Sequence, residues 1–287
     1  VIAYQPMNKA PQEVPPPAKE PPLPPDVPSN EQLYLIGRHL EQYRHATRSA
    51  EDYWREAVRR DPADTRCHNA LGLWHLRRGE FPQAAAHLRD AVAALTAYNP
   101  NPRDGEPYYN LALAERFLGE KDAAYSHFYK ATWNYAWQPP AFFELARMDA
   151  ARGDWPSALE HLERCLRVNT DHAQARHLKA ITLRKLGRDH EAAALLAETR
   201  RLDPLDAMAQ YLANAAAPRD PAMRLDLALD LAAAALHTEA LALLESTAPD
   251  PQSGTAPLFG YYRGWLLEQR AQPGDAESCR EWRGPGG

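Results

Sequence analysis

The stretch Leu145-Ala146-Arg147-Met148-Asp149-Ala150-Ala151-Arg152-Gly153-Asp154-Trp155-Pro156-Ser157-Ala158-Leu159-Glu160-His161-Leu162 decides the fold. Apolar residues recur on either side of Gly153 at helical spacing, so two helical segments meet at that glycine. A sharp helix-to-helix turn favours positive φ, which glycine adopts without a Cβ penalty. Working outward, Gly79, Gly119 and Gly187 end similar segments. The steps from Gly119 to Gly153 and from Gly153 to Gly187 are 34 residues each, and the step from Gly79 to Gly119 is 40. The excess lies in the loop Asn99-Pro100-Asn101-Pro102-Arg103-Asp104-Gly105.

Small and large residues keep one register around these glycines. Leu71-Gly72, Leu111-Ala112 and Leu145-Ala146 supply a close-approach pair on the first helix (helix A). Ala84, Ala124, Ala158 and Ala192 are the small residue of the second (helix B), with Leu88, Phe128, Leu162 and Leu196 as its large partner. Ala91, Ala131 and Cys165 form a second small row. Asp61-Pro62 and Asp203-Pro204 close two repeats, because proline cannot extend the helix before it. This pattern resembles the tetratricopeptide repeat family, with four repeats in register. An earlier repeat, with Ile36-Gly37, Ala50, Trp54, Ala57 and Pro62, fits with a one-residue slip. The resemblance implies an all-α fold, a right-handed α–α superhelix or TPR solenoid, preceded here by a proline-rich linker.

Residues 5 to 29 hold ten prolines and read as an extended spacer, or as a P-x-x-P ligand for an SH3-like partner. The apolar Val1-Ile2-Ala3-Tyr4 before it reads like the last strand of another domain. The expected division is 1–29 strand remnant and linker, 30–215 repeat array, and 216–287 degenerate C-terminal hairpins and tail. Segments 221–247 and 256–283 still read as hairpins, but the turn glycine is lost near His237. A narrower resemblance rests on Glu41-Gln42-Tyr43-Arg44-His45-Ala46-Thr47, Asn99-Pro100-Asn101-Pro102 and Phe128-Tyr129-Lys130-Ala131-Thr132-Trp133-Asn134. These are similar to a bacterial family in which such repeats follow a galactose-mutarotase-like β-sandwich of unknown function.

In a solenoid the concave face is lined by helix A. By the family resemblance, the residues facing the groove are Tyr34 and Arg38, then Asn69, Leu73 and Arg77, then Tyr109, Leu113, Arg116 and Phe117. Phe143 and Arg147 follow, then His177, Ile181 and Arg184. Arginines interleaved with aromatics are enriched at binding hot spots, and a guanidinium can grip a carboxylate through two bonds. The expected partner is a protein or peptide segment carrying acidic groups, or the chain's own upstream domain. The competing reading is that these arginines pair with Glu and Asp on neighbouring helices. Tyr125, Phe128, Tyr129, Trp133, Tyr135, Trp137, Phe142 and Phe143 form an aromatic run read as inter-repeat packing, or as a docking surface for that upstream domain.

Other function classes find no residues to carry them. The net charge of −5 gives no general attraction to nucleic acid or to an anionic membrane surface. No apolar run approaches the roughly 20 residues that span a bilayer. Cys67, Cys165 and Cys279 lie far apart with no C-x-x-C spacing, which suits a reducing cytosol. Phosphate-binding loops and nucleophile elbows are missing, so no catalytic residue and no cofactor is expected. Glu115 and Asp149 could approach across adjacent repeats as paired carboxylates. The plainer reading gives each a hydrogen-bond donor from Arg116, Arg147 or a tryptophan. His68 and His75 are seven apart on one helix and read as packing residues, with no metal expected. The expected function is a protein-interaction scaffold; the alternative is a bracing domain for an upstream carbohydrate-active enzyme.

Overall fold

The computed structural model describes residues 19–214, 217–246 and 254–270. Val1–Tyr4, Cys279 and the glycine-rich tail, all read above from sequence, lie outside the described residues. Fourteen α-helices and two short 3-10 turns run through the described chain, with no strand among those residues. Five hairpins come first: α1 (Asn30–Tyr43) with α2 (Ala50–Arg60), α3 (Thr65–Arg77) with α4 (Phe81–Thr96), and α5 (Glu106–Leu118) with α6 (Lys121–Ala131). α7 (Gln138–Ala151) pairs with α8 (Trp155–Val168), and α9 (Ala173–Lys185) with α10 (Asp189–Leu202). α11 (Ala207–Asn214) packs on α9 and α10. A sixth hairpin, α12 (Pro221–Ala233) with α13 (His237–Glu245), is followed by α14 (Ala256–Arg270). Alternate helices also touch, α3 against α5 and α9 against α11, as helices A must in a solenoid.

The turns explain why the chain breaks into hairpins at fixed intervals. Gly79, Gly119, Gly153 and Gly187 have φ of 73, 82, 74 and 74°. At Gly153 two reverse bonds tie off the last carbonyls of α7: Asp154 N–H to Asp149 O at 2.9 Å, and Gly153 N–H to Ala150 O at 3.0 Å. That is the Schellman ending. A Cβ built on any of the four glycines meets nothing, so the requirement is torsional and not steric. The α12–α13 turn keeps the same backbone without the glycine. Ala235 sits there at φ 58°, with Leu236 N–H to Leu231 O at 3.0 Å and Ala235 N–H to Ala232 O at 2.8 Å. An L-residue in this region costs about 1–2 kcal/mol.

Inside each hairpin the small residues let helices close. Ala84, Ala124, Ala158 and Ala192 are fully buried, as are Leu88, Phe128, Leu162 and Leu196 beside them. A Cβ on Gly72 would stand 2.4 Å from Leu88 Cγ, so helices α3 and α4 meet there backbone to side chain. Trp54 fills the same large position in the first hairpin, its indole N–H pointing at Tyr34 O at 3.4 Å. Burying a side chain of this size contributes roughly 1.5–3 kcal/mol.

The described end of the proline-rich segment is not a free spacer. Val27 is buried, and Arg60 donates to Val27 O at 2.6 Å, Pro24 O at 3.1 Å and Pro25 O at 3.0 Å. Tyr53 Oη donates to Pro22 O at 2.7 Å, and Glu20 receives Arg48 at 3.2 Å. Prolines have no backbone N–H, so a proline-rich segment offers few local donors for its carbonyls, and α2 supplies donors from Tyr53 and Arg60. Among the described residues, packing on the array therefore extends back to Glu20.

Two expectations follow for chemical denaturation. Ala235→Gly should gain roughly 0.5–1 kcal/mol, strain relief less the entropy of a freer unfolded chain, while Gly153→Ala should lose about 1 kcal/mol or more. Ala158→Leu should overpack the α7–α8 contact and cost about 1–3 kcal/mol; an unchanged midpoint would place Ala158 away from the helix crossing.

Candidate functional site: the concave face

All fourteen sequence-predicted groove residues lie on helices A: Tyr34 and Arg38 on α1, Asn69, Leu73 and Arg77 on α3, Tyr109, Leu113, Arg116 and Phe117 on α5, Phe143 and Arg147 on α7, and His177, Ile181 and Arg184 on α9. They do not form one open surface. The structure divides them into a covered part and an open part.

The covered part is closed by the chain itself. Beyond α11 the chain folds back, and α12–α13 lies against α7 and α9. Phe143, Leu178 and Ile181 share one core with Leu225, Leu231, Leu236 and Leu241. The polar anchor of this contact is the carbonyl of Ala233, the last residue of α12. It accepts from Arg116 Nη2 at 3.1 Å and from Arg147 Nε at 3.1 Å. The last carbonyls of a helix have no intrahelical donor and carry the negative end of its dipole, so two guanidinium groups fit that end well. Glu144 holds both arginines in place: it is 6% exposed, bonds Arg116 directly and accepts from Arg147 at 2.7 Å. Burial presses the Arg116 guanidinium below its ordinary pKa, while Glu144 opposes that shift. Gln174 to Asp230 at 3.0 Å and Lys185 to Glu239 at 2.6 Å complete the rim.

The open part is made by α1, α3 and the end of α5. Arg38 and Arg66 flank the ring of Tyr34, at 5.8 and 4.8 Å from its centroid. Arg77 pairs with Glu41 of α1. Asn69 donates to Glu106 at 3.0 Å and accepts from Asn110 at 2.9 Å, linking α3 to α5. Leu73 is half-buried, and Phe117 is 57% exposed, stacked on Phe81 with centroids 4.5 Å apart. Tyr109 contributes little open surface, since it packs between Phe128 and Trp137, and burial pushes its phenol pKa up. Leu113 is likewise half-buried against the main core.

The inner arginines are thus mostly staples between successive helices A. Arg77 reaches α1, Arg116 reaches α7, and Arg184 donates to Leu212 O of α11 at 2.7 Å. His177 meets Asp206 at 2.6 Å. The pairing alternative from the sequence accounts for Arg77, Arg116 and Arg147, and the acidic-partner reading loses those cations. Of Arg38, Arg77, Arg116, Arg147 and Arg184, the described ion pairs give a carboxylate to Arg77, Arg116 and Arg147; Arg184 has the Leu212 carbonyl, and Arg38 lies against the Tyr34 ring.

Glu115 and Asp149 do not pair with one another, nor do they bond Arg116 or Arg147. Each meets the histidine of its own helix B instead, His127 at 2.7 Å and His161 at 2.7 Å. Arg89 at 3.7 Å and Arg152 at 2.6 Å complete them. These are satisfied structural dyads. His127 and His161 occupy one repeat position, 34 apart, and His87 stands 40 before His127, the same steps as the glycines. That periodicity is visible in the sequence. In the second hairpin the acid is replaced by His75, which bonds Glu80 at 2.6 Å and stacks on His87. Burial holds the His87 pKa down to about 4. Of the aromatic run, Phe128, Phe142 and Phe143 are buried, whereas Tyr129, Trp133 and Tyr135 are exposed. Glu144 and the Ala233 carbonyl are the groups sequence reasoning missed. Glu144 could have been found as a lone carboxylate one turn from Arg147 on an inner face rich in arginine; a backbone carbonyl 86 residues away from Arg147 leaves no such signal.

Residues 149–215 match the family model for the tetratricopeptide repeat. Among solved structures, a tetratricopeptide repeat protein from Parabacteroides merdae is 18% identical, with 88% of this chain and 96% of that one covered at a TM-score of 0.54. PilW, a type IV pilus biogenesis factor, is 22% identical over 64% and 82%, with a TM-score of 0.53. YrrB, a TPR protein with an unusual peptide-binding site, is 16% identical over 62% and 89%, at 0.51. The fold is a TPR solenoid. The narrower resemblance, to repeats behind a galactose-mutarotase-like sandwich, gains no support from these proteins. No helix among the described residues is long and apolar enough to cross a membrane.

Replacing both Arg116 and Arg147 with Ala leaves the buried Glu144 carboxylate, and the half-buried Ala233 carbonyl beside it, without those donors. Stranding a buried charge costs about 3–5 kcal/mol. Amide exchange in α12 and α13 should accelerate, with α3 and α4 unchanged. Equal protection in α12 would mean that apolar packing alone seats the hairpin.

Proposed function

We propose that this chain is a non-catalytic protein-interaction scaffold, with the open part of its concave face, on α1, α3 and α5, taking a protein or peptide segment. The observation that carries the reading is the occupied part beside it. There the same kind of surface, aromatic and aliphatic residues around arginines held by a glutamate, already binds a helical segment through one carboxyl-end carbonyl, that of Ala233. The open part repeats those elements in Tyr34, Leu73 and Phe117 with Arg38, Arg77 and Glu41. Aromatic and arginine anchors dominate protein interfaces. A segment that presents a helix end or a carboxylate complements Arg38 and the exposed Arg77 better than a basic one. The peptide-binding site of YrrB is compatible with this use of the fold.

The test is capture by the full chain from a cell lysate, compared with an Arg38→Glu, Arg77→Glu, Phe117→Ala variant. All three side chains are exposed, so the variant should keep its circular dichroism and melting profile. Loss of the captured protein is expected. Capture of the same protein by the folded variant would place the interface elsewhere, and the exposed Tyr129, Trp133 and Tyr135 would be the next residues to change.

A further inference from the structure

The second hairpin carries a side-chain cluster that the groove does not use. His68 of α3 and His87 of α4 face one another across the hairpin with their Nδ1 atoms 3.2 Å apart. Asp90, one turn beyond His87, places a carboxylate oxygen 3.9 Å from His68 Nδ1. One ligand atom from each of the three lies within 4.8 Å of the others. The sequence offered His68 with His75, seven apart on one helix, and that pair does not converge, since His75 turns to Glu80.

The arrangement around His68 fixes which nitrogen is available. Its Nε2 lies 3.1 Å from the Pro62 carbonyl, an acceptor only, so Nε2 carries the proton and donates it there. The Nδ1 lone pair is thereby aimed at His87. A backbone carbonyl that sets the tautomer and ring angle in this way is the usual outer support of a metal-bound imidazole. The stacked His75 ring fixes His87 from the other side, with centroids 5.5 Å apart and planes 6° from parallel. Two nitrogens bound to one tetrahedral zinc at ~2.0–2.1 Å stand about 3.3 Å from each other. The observed separation of the two Nδ1 atoms is within a few tenths of an ångström of that. The carboxylate needs to close by roughly half an ångström on His68 Nδ1 and lies within 4.8 Å of the His87 ligand atom, and the Asp90 side chain is 65% exposed.

The geometry points to a divalent transition-metal site of zinc type, with His68 Nδ1, His87 Nδ1 and Asp90 as its ligands and water in the fourth position. Without metal, a proton on His87 Nδ1 bridges the two rings. On binding, that proton passes to His87 Nε2, both imidazoles stay neutral, and the charge balance is two positive against one carboxylate. The ion would tie α3 to α4 across the hairpin, on residues separate from those of the concave face.

Zinc added to the full chain, in competition with a chromophoric chelator, tests the assignment, with cobalt as a spectroscopic substitute. One ion per chain is expected, with the intense visible absorption of four-coordinate cobalt and a rise in melting temperature. Asp90→Asn, at an exposed position, should weaken binding by about 10-fold or more. His87→Gln should reduce it to the level of scattered surface histidines and abolish the thermal shift. Circular dichroism shows that both variants are folded before titration. Wild-type affinity in the His87→Gln variant overturns the site. Wild-type affinity in Asp90→Asn, with loss in His87→Gln, overturns the carboxylate as a ligand. Zinc binding no tighter than that of free imidazole overturns the whole proposal.

Discussion

A helical hairpin of this kind cannot bury its own apolar face, and every other feature of the chain follows from that constraint. Each hairpin is completed by the next, so the array is stable only where it continues or where something covers its end. At the first hairpin the cover is the proline-rich strap, held by Tyr53 and Arg60 along α2. At the other end α11 covers α9 and α10, and the chain then folds α12–α13 back over helices α7 and α9. The concave face is then partly consumed as packing surface, and among the described residues the stretch on α1, α3 and the end of α5 stays open.

Charge on the inner face obeys the same logic. Neighbouring helices A need a fixed rotation relative to each other, and polar links set it: Arg77 with Glu41, Asn69 with Glu106, Arg116 with Glu144, Arg184 with the carbonyl of Leu212. A guanidinium has five donors, so one ion pair does not exhaust it. Arg116 and Arg147 keep Glu144 and still supply a bond each to Ala233 O. An arginine already paired with a carboxylate is therefore still able to receive a second acceptor, provided that acceptor brings little charge.

The hairpin register was legible because it depends on local rules. Glycine at a left-handed turn, alanine at a helix crossing and leucine opposite it recur at a fixed period, and each obeys a constraint that acts within about 35 residues. The division of the groove was not legible. It depends on one carbonyl of α12 meeting two arginines 117 and 86 residues earlier, and a backbone acceptor is the same in every residue type. The extent of the strap escaped for a related reason. Proline content excludes helix and inner strand, but it says nothing of whether the exposed carbonyls find donors on a neighbouring helix. The His68–His87 contact lay between, since His87 shares the repeat period with His127 and His161, yet its meeting with His68 across the hairpin required the helix crossing itself.

Ala235 gives the C-terminal hairpin a different standing from the five before it. Local stability in a solenoid is a ladder of opening free energies, each rung set by a unit and its interfaces. A turn strained at φ 58° lowers the rung of the hairpin that lies in the groove, which is held there by its apolar contact with α7 and α9 and by a few polar ties. Sub-global opening of the molecule should therefore begin with α12–α13, and it uncovers Phe143, Arg147 and Ile181 before any of the five stacked hairpins comes apart. The size of the concave surface presented at any instant is in that sense a thermodynamic quantity, fixed by how often this hairpin is away.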